Sequence, residues 1–174
     1  MKTNYKEKLN HVSTFIFDVD GVLTDGSVLL IPGHDAVRNF NSKDGFALQL
    51  AMKKNYRVAI ISGGKSNGVK EHLNYLGVND VYLAVKEKKT RLEAYLKEHN
   101  LKPEEVLYMG DDLPDYEVMQ NVGVACSPAD AAQEVKAISD YVSLKRGGKG
   151  CVRDVIEQTL KVQHRWMEDG DGVW

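Results

Sequence analysis

The chain has 174 residues, enough for one domain with a sizeable core, and at 43% hydrophobic and 28% charged it has the composition of a globular protein. A formal net charge of −2 leaves no basic footprint for nucleic acid or an anionic membrane surface, and no apolar run exceeds strand length. Residues 1–13 are polar and lack a signal-peptide core. Cys126 and Cys151 form no metal or CxxC spacing, so both are expected to be reduced, buried thiols of a cytoplasmic protein.

In chain order, residues 14–19 form an apolar run rich in aromatic and β-branched side chains, which predicts a short buried strand. Residues 28–31 and 36–40 flank Pro32-Gly33-His34-Asp35 and predict a hairpin. Helical spacing follows over 43–54, and a continuous apolar run over 57–61 predicts a strand covered on both faces. A helix over 67–76 ends at Gly77. Then come a strand over 80–84, a helix over 89–99, a strand over 106–109, and a helix over 113–121. Strands over 122–126 and 141–144 surround a helix over 131–138, and a closing helix covers 151–164. Alternation of this kind predicts an α/β fold, Rossmann-like and three-layered, with a mainly parallel sheet. Residues 1–174 are expected to be one domain, with a hairpin insertion at about 26–41 after the first strand and a tail at about 165–174.

Parallel sheets bind ligands beyond the carboxyl ends of their strands. The first strand is followed by Asp18-Val19-Asp20-Gly21, the strand over 57–61 by Ser62-Gly63-Gly64-Lys65, and the strand over 106–109 by Gly110-Asp111-Asp112 with Asp115 one turn later. Lys88 lies just past the strand over 80–84. Carboxylates this concentrated raise one another's pKa unless a cation neutralises them, and Mg²⁺ takes one or two carboxylates together with phosphate oxygens. A hydroxyl with glycine amides can hold a phosphate, and a lysine adds a point charge. Taken singly, Asp111 or Asp112 reads as a helix cap and Lys88 as a solvated lysine. Their convergence at successive strand ends favours a metal-assisted phosphate site.

Asp18-x-Asp20-Gly-Val, Ser62, Lys88 and Gly110-Asp111-Asp112-x-x-Asp115 resemble, in order, the four motifs of haloacid dehalogenase-type phosphohydrolases. The resemblance implies Asp18 as nucleophile forming an aspartyl phosphate and Asp20 as general acid, then general base. It implies Mg²⁺ on Asp18, the backbone carbonyl of Asp20, and Asp111. Ser62 and Lys88 would grip the phosphoryl group, with Asp112 and Asp115 in support. Only about forty residues separate Asp20 from Ser62, too few for a cap domain. Among capless members the chain is most similar to the phosphatases of 3-deoxy-D-manno-octulosonate (KDO) 8-phosphate, which act in lipopolysaccharide sugar synthesis. The likeness extends to Lys43-Asp44-Gly45 and Arg146-Gly147-Gly148-Lys149-Gly150.

That resemblance implies a phosphorylated sugar acid as substrate, with Ser62, Gly63, Gly64, Lys65, Lys88, Arg146 and Lys149 around it. It also implies a homotetramer built through the hairpin, with no nucleic-acid or membrane partner. Lys65 and Lys149 stand where arginine is commoner. Gly64 stands where phosphatases of nonulosonate 9-phosphates carry glutamate, which favours the eight-carbon sugar over the alternative. The tail, with Trp166, Met167 and Trp174, is expected either to lie near a neighbouring subunit's site or to fray. A phosphoacceptor signalling domain shares the acidic pocket, hydroxyl and lysine, but has no need of an acid at Asp20.

Overall fold

A computed structural model describes residues 4–173, so the anchoring expected of Trp174 lies outside the described residues. Six short strands form one sheet: β1 (Thr14–Phe17), β2 (Arg57–Ile61), β3 (Asp80–Tyr82), β4 (Val106–Met109), β5 (Val124–Ser127) and β6 (Tyr141–Val142). Their order is β3-β2-β1-β4-β5-β6, and every pair is parallel.

Helices connect the strands: α1 (Tyr5–Leu9), α2 (Ser42–Lys53), α3 (Asn67–Tyr75), α4 (Lys88–His99), α5 (Leu113–Met119), α6 (Gln133–Ile138) and α7 (Cys151–Val162). Strand side chains alternate between two cores. Phe15, Phe17, Val58, Ile60, Leu107 and Met109 pack with Leu48 of α2, Leu73 of α3 and Ile156 of α7. Ile16, Ala59, Ile61 and Tyr108 pack on the other face with Leu92 of α4, Val118 of α5 and Val135 of α6. Both faces are therefore apolar, which is why the strands read as unbroken hydrophobic runs and why the fold has three layers. Cys126 and Cys151 are free and buried, as expected.

Two segments differ from expectation. Helix α1 emerges from a stretch read only as polar. Leu9 is buried, the Tyr5 ring stacks on Tyr141 at 4.8 Å, and the Tyr5 hydroxyl donates to Gln158 at 2.7 Å. The hairpin contracts to one antiparallel bridge, Leu29 with Val37, closed by backbone bonds of 3.1 and 3.0 Å. Its turn is as predicted: His34 N–H donates to Ile31 C=O at 3.0 Å over Pro32 and a positive-φ Gly33 (79°). Val28, Leu29, Leu30, Ile31 and Val37 are all exposed, so among the described residues nothing lies over the ribbon to extend its ladder.

The chain runs from β1 outward to β3 and then returns past β1 to β4, so the carboxyl ends of β1 and β4 flank the switch point where such sheets bind ligands. Phe17 pairs with Met109, and the Asp18 amide bonds Met109 C=O at 3.1 Å. The register therefore sets Asp18 beside Gly110 and Asp111.

Candidate active site

A cavity of about 330 Å³ opens at that point, with Asp18, Asp20, Ser62, Gly63, Gly64, Lys88, Asp111, Asp112 and Asp115 in its wall. Carboxylate oxygens of Asp18, Asp111 and Asp115 all lie within 4.8 Å of one another. Asp111 comes this close because Gly21, at φ 85°, turns the loop after β1. A Cβ there would sit 2.0 Å from Asp111 Oδ2.

Each acid is held differently. Asp18 Oδ1 accepts from the Val19 amide at 2.7 Å and its Oδ2 pairs with Lys88 Nζ at 2.9 Å, so the carboxylate cannot rotate. Asp115 is fully engaged. Its Oδ1 accepts from Lys88 Nζ and from the Tyr108 hydroxyl, both at 2.7 Å, and its Oδ2 accepts from the Asp111 amide at 3.2 Å. Lys88 is 6% exposed, so it is no solvated lysine. Burial opposes its charge, but Asp115 and Asp18 outweigh burial and hold its pKa above the ordinary value. One ammonium does not balance three acids. Burial, then Asp115, push Asp18 up to about 6 against the pull of Lys88. Burial, then Asp115 and Asp18, push Asp111 up to about 7. Buried Asp18 and half-buried Asp111, which share too little positive charge and are braced by Asp115, suit a hard divalent cation.

Ser62 is buried at the end of β2. Its Oγ accepts the Gly64 amide at 3.2 Å, which leaves the hydroxyl proton free to donate. Asp20 accepts a fork from Arg38, Nε to Oδ1 at 2.6 Å and Nη2 to Oδ2 at 3.1 Å. Both belong to the loop and hairpin after β1, and Arg38 was not anticipated from sequence. Tyr108 lies within the strand expected over 106–109, and its hydroxyl serves Asp115, a role no sequence signal marked.

Comparison with known proteins agrees with this geometry. A family profile for haloacid dehalogenase-like hydrolases matches residues 80–153. The 3-deoxy-D-manno-octulosonate 8-phosphate phosphatase of Salmonella typhi is 34% identical over 168 residues, 97% of this chain and 89% of that protein. This chain belongs to the KDO 8-phosphate phosphatase family of haloacid dehalogenase-like hydrolases. Family structures superpose closely. The Moraxella catarrhalis phosphatase, in complex with magnesium, phosphate and KDO, has a TM-score of 0.91 at 31% identity, covering 95% of each chain. The cobalt-bound Haemophilus influenzae phosphatase has a TM-score of 0.90 at 30% identity, covering 95% of this chain and 98% of that one.

Within the phosphatase family, the residues expected to meet the sugar acid occupy flanking loops. Lys65, Arg146 and Lys149 are exposed and stand outside the wall of the cavity. Lys149 Nζ is 3.9 Å from Asp25 Oδ2. The glycines beside them are packed against backbone: a Cβ on Gly147 would lie 2.0 Å from Gly21 C=O, and the Gly148 amide donates to Val22 C=O at 2.9 Å. The glycine-rich segment thus buttresses the loop that carries Asp20. Asp44, another part of the family likeness, is buried and caps α7 from outside, accepting from the Gly150 amide at 3.2 Å and the Arg153 amide at 2.8 Å.

Proposed function

We propose that this chain is a Mg²⁺-dependent phosphomonoesterase that hydrolyses KDO 8-phosphate to KDO and inorganic phosphate. The observation that carries the reading is the immobilised Asp18 carboxylate beside Asp111, Lys88 and Ser62 at the switch point of the sheet. Asp18 attacks phosphorus and forms an aspartyl phosphate while the bond to the sugar oxygen breaks. Asp20 gives that oxygen a proton, then removes one from the water that cleaves the acyl phosphate. Ser62 donates to a phosphoryl oxygen, and Lys88 offsets charge on the other side. Asp18, the Asp20 carbonyl and Asp111 would hold Mg²⁺, which supplies charge neutralisation for the phosphoryl group when bound. Asp112 and Asp115 are supporting acids. Lys65, Arg146 and Lys149 flank the opening and are the candidates for the substrate carboxylate.

Asp20 argues against a stable phosphoacceptor domain, which needs no proton donor there. We further infer a cytoplasmic homotetramer, with the exposed hairpin as its interface. Among the described residues no helix is long and apolar enough to cross a membrane. Phosphate release from KDO 8-phosphate, a nonulosonate 9-phosphate and hexose phosphates, with Mg²⁺ and with chelator, tests the reading. The expected result is the highest kcat/KM on KDO 8-phosphate and loss of activity on chelation. A preference for the nonulosonate ester, or full activity in chelator, would overturn it.

A further inference from the structure

Arg38 sits in the return arm of the hairpin, yet its side chain is only 9% exposed and its fork closes on Asp20. A third donor, Nη1, is tied to Ala36 C=O at 3.0 Å, so the guanidinium is fixed to its own arm as well. That arm is itself docked. Asp35 Oδ2 accepts from the Asn67 amide at 2.7 Å and the Gly68 amide at 3.3 Å, at the start of α3, next to the Ser62–Ser66 loop. Gly64 makes the room: a Cβ there would lie 3.2 Å from Asp20 Oδ2 and 3.5 Å from Arg38 Nη2.

We propose that Arg38 is a positioning residue for Asp20: its bidentate contact, anchored through Asp35 and admitted by Gly64, sets the carboxylate where it can exchange protons with the leaving oxygen and the hydrolytic water. The inference rests on the proposed role of Asp20. It makes the hairpin a part of the catalytic apparatus as well as a surface. Bidentate geometry requires the planar guanidinium, so lysine is not an equivalent at this position.

The test is a double-mutant cycle on phosphate release from KDO 8-phosphate in Mg²⁺, using Arg38→Ala, Arg38→Lys, Asp20→Asn and the Arg38→Ala/Asp20→Asn pair. Thermal melts of every variant, and the Gly64→Ala variant, accompany it. Arg38→Ala is expected to lower kcat about 10–100-fold with little change in KM, since misplacing a reacting group by an ångström has an effect of that order. Arg38→Lys should recover only a minor part. Once Asp20 is Asn, removing Arg38 should change kcat by no more than about twofold, the scatter of uncoupled effects. Gly64→Ala, which leaves Arg38 in place but crowds the contact, should lower kcat in the wild-type background and change it by no more than about twofold once Asp20 is Asn. This pair decides the matter if Arg38→Ala melts below the assay temperature, since an effect through Ser62 would persist in both backgrounds. Effects of Arg38 and Asp20 that multiply, or a loss expressed in KM, would overturn the inference and place the guanidinium on the substrate instead. Unchanged kcat in Arg38→Ala or in Gly64→Ala would also overturn it. An Asp20→Asn enzyme as active as wild type would refute the proposed role of Asp20 itself, a separate failure.

Discussion

Desolvation, then Asp115, hold Asp18 up to about 6, and desolvation, then Asp115 and Asp18, hold Asp111 up to about 7, both above the 3.8 of an ordinary aspartate. Between that value and about 7, the metal-free folded protein binds more protons than the unfolded chain. Stability from these groups is therefore fully present at low pH and is lost as pH rises through 6 and 7. A cation that binds the deprotonated pair reverses the trend, so Mg²⁺ is expected to raise the melting temperature more at about pH 8 than at about pH 5.5. Scanning fluorimetry at the two pH values checks this, and an equal or opposite difference would contradict it. Asp111→Ala should weaken Mg²⁺ binding at least about 10–100-fold, read by calorimetry or by the Mg²⁺ dependence of kcat. That Asp18, Asp20, Ser62, Lys88 and Asp111 gather in the wall of one cavity was legible in the sequence because each follows a strand, and parallel strands end together. Arg38 was not, because a charged residue in a solvent-exposed hairpin reads as solvated until the fold turns it inward. Tyr108 was hidden for the opposite reason: its ring is core, and only the structure shows where the hydroxyl ends.

At the level of elements, the continuous apolar runs marked β1, β2 and β4 because burial on both faces leaves no alternation to obscure them. Helix α1 lacked such a signal: five residues cannot display a helical period, and what holds them is tertiary, including Gln163 Nε2 donating to Leu9 C=O at 2.7 Å and to Val12 C=O at 2.8 Å. The Asp44 cap on α7 was equally unreadable, since cap and helix are distant in sequence. Asp44→Ala strips the partner from two backbone amides and should lower stability by about 1–2 kcal/mol, or roughly 2–8 °C in the melt. The tail after α7 is docked on its own chain. Buried Lys54, which caps the end of α2, pairs with Glu168 and with Asp171 at 2.9 Å, and Lys53 Nζ donates to Gly170 C=O at 2.8 Å. This lies beside the start of β2, at the end of the sheet opposite the cavity. Truncation before Glu168 should lower the melting temperature and leave kcat and KM unchanged. A fall in kcat would instead mean that the tail serves a neighbouring copy's site.

For the whole molecule, the open cavity and the uncovered hairpin are complementary features. An open site gains little substrate contact from its own chain, and the apolar ribbon at Leu29 and Leu30, 62% and 78% exposed, is the surface we propose for assembly with other copies. If the proposed tetramer forms through this ribbon, wild type sediments as a tetramer and Leu30→Asp shifts the sedimentation velocity profile to smaller species. An unchanged profile would remove the hairpin from the interface. Assembly is the property least legible from one chain, because it depends on surfaces that folding leaves unsatisfied, whereas the chemistry follows from strand ends that folding brings together. That chemistry is tested most directly by kcat/KM for KDO 8-phosphate, measured in Mg²⁺ for wild type and Asp18→Asn side by side. The wild type should turn over at a rate ordinary for an enzyme, about 1 s⁻¹ or faster, and the amide variant, unable to form the phosphoenzyme, should fall to background. Comparable turnover by the two proteins would contradict a covalent mechanism on Asp18.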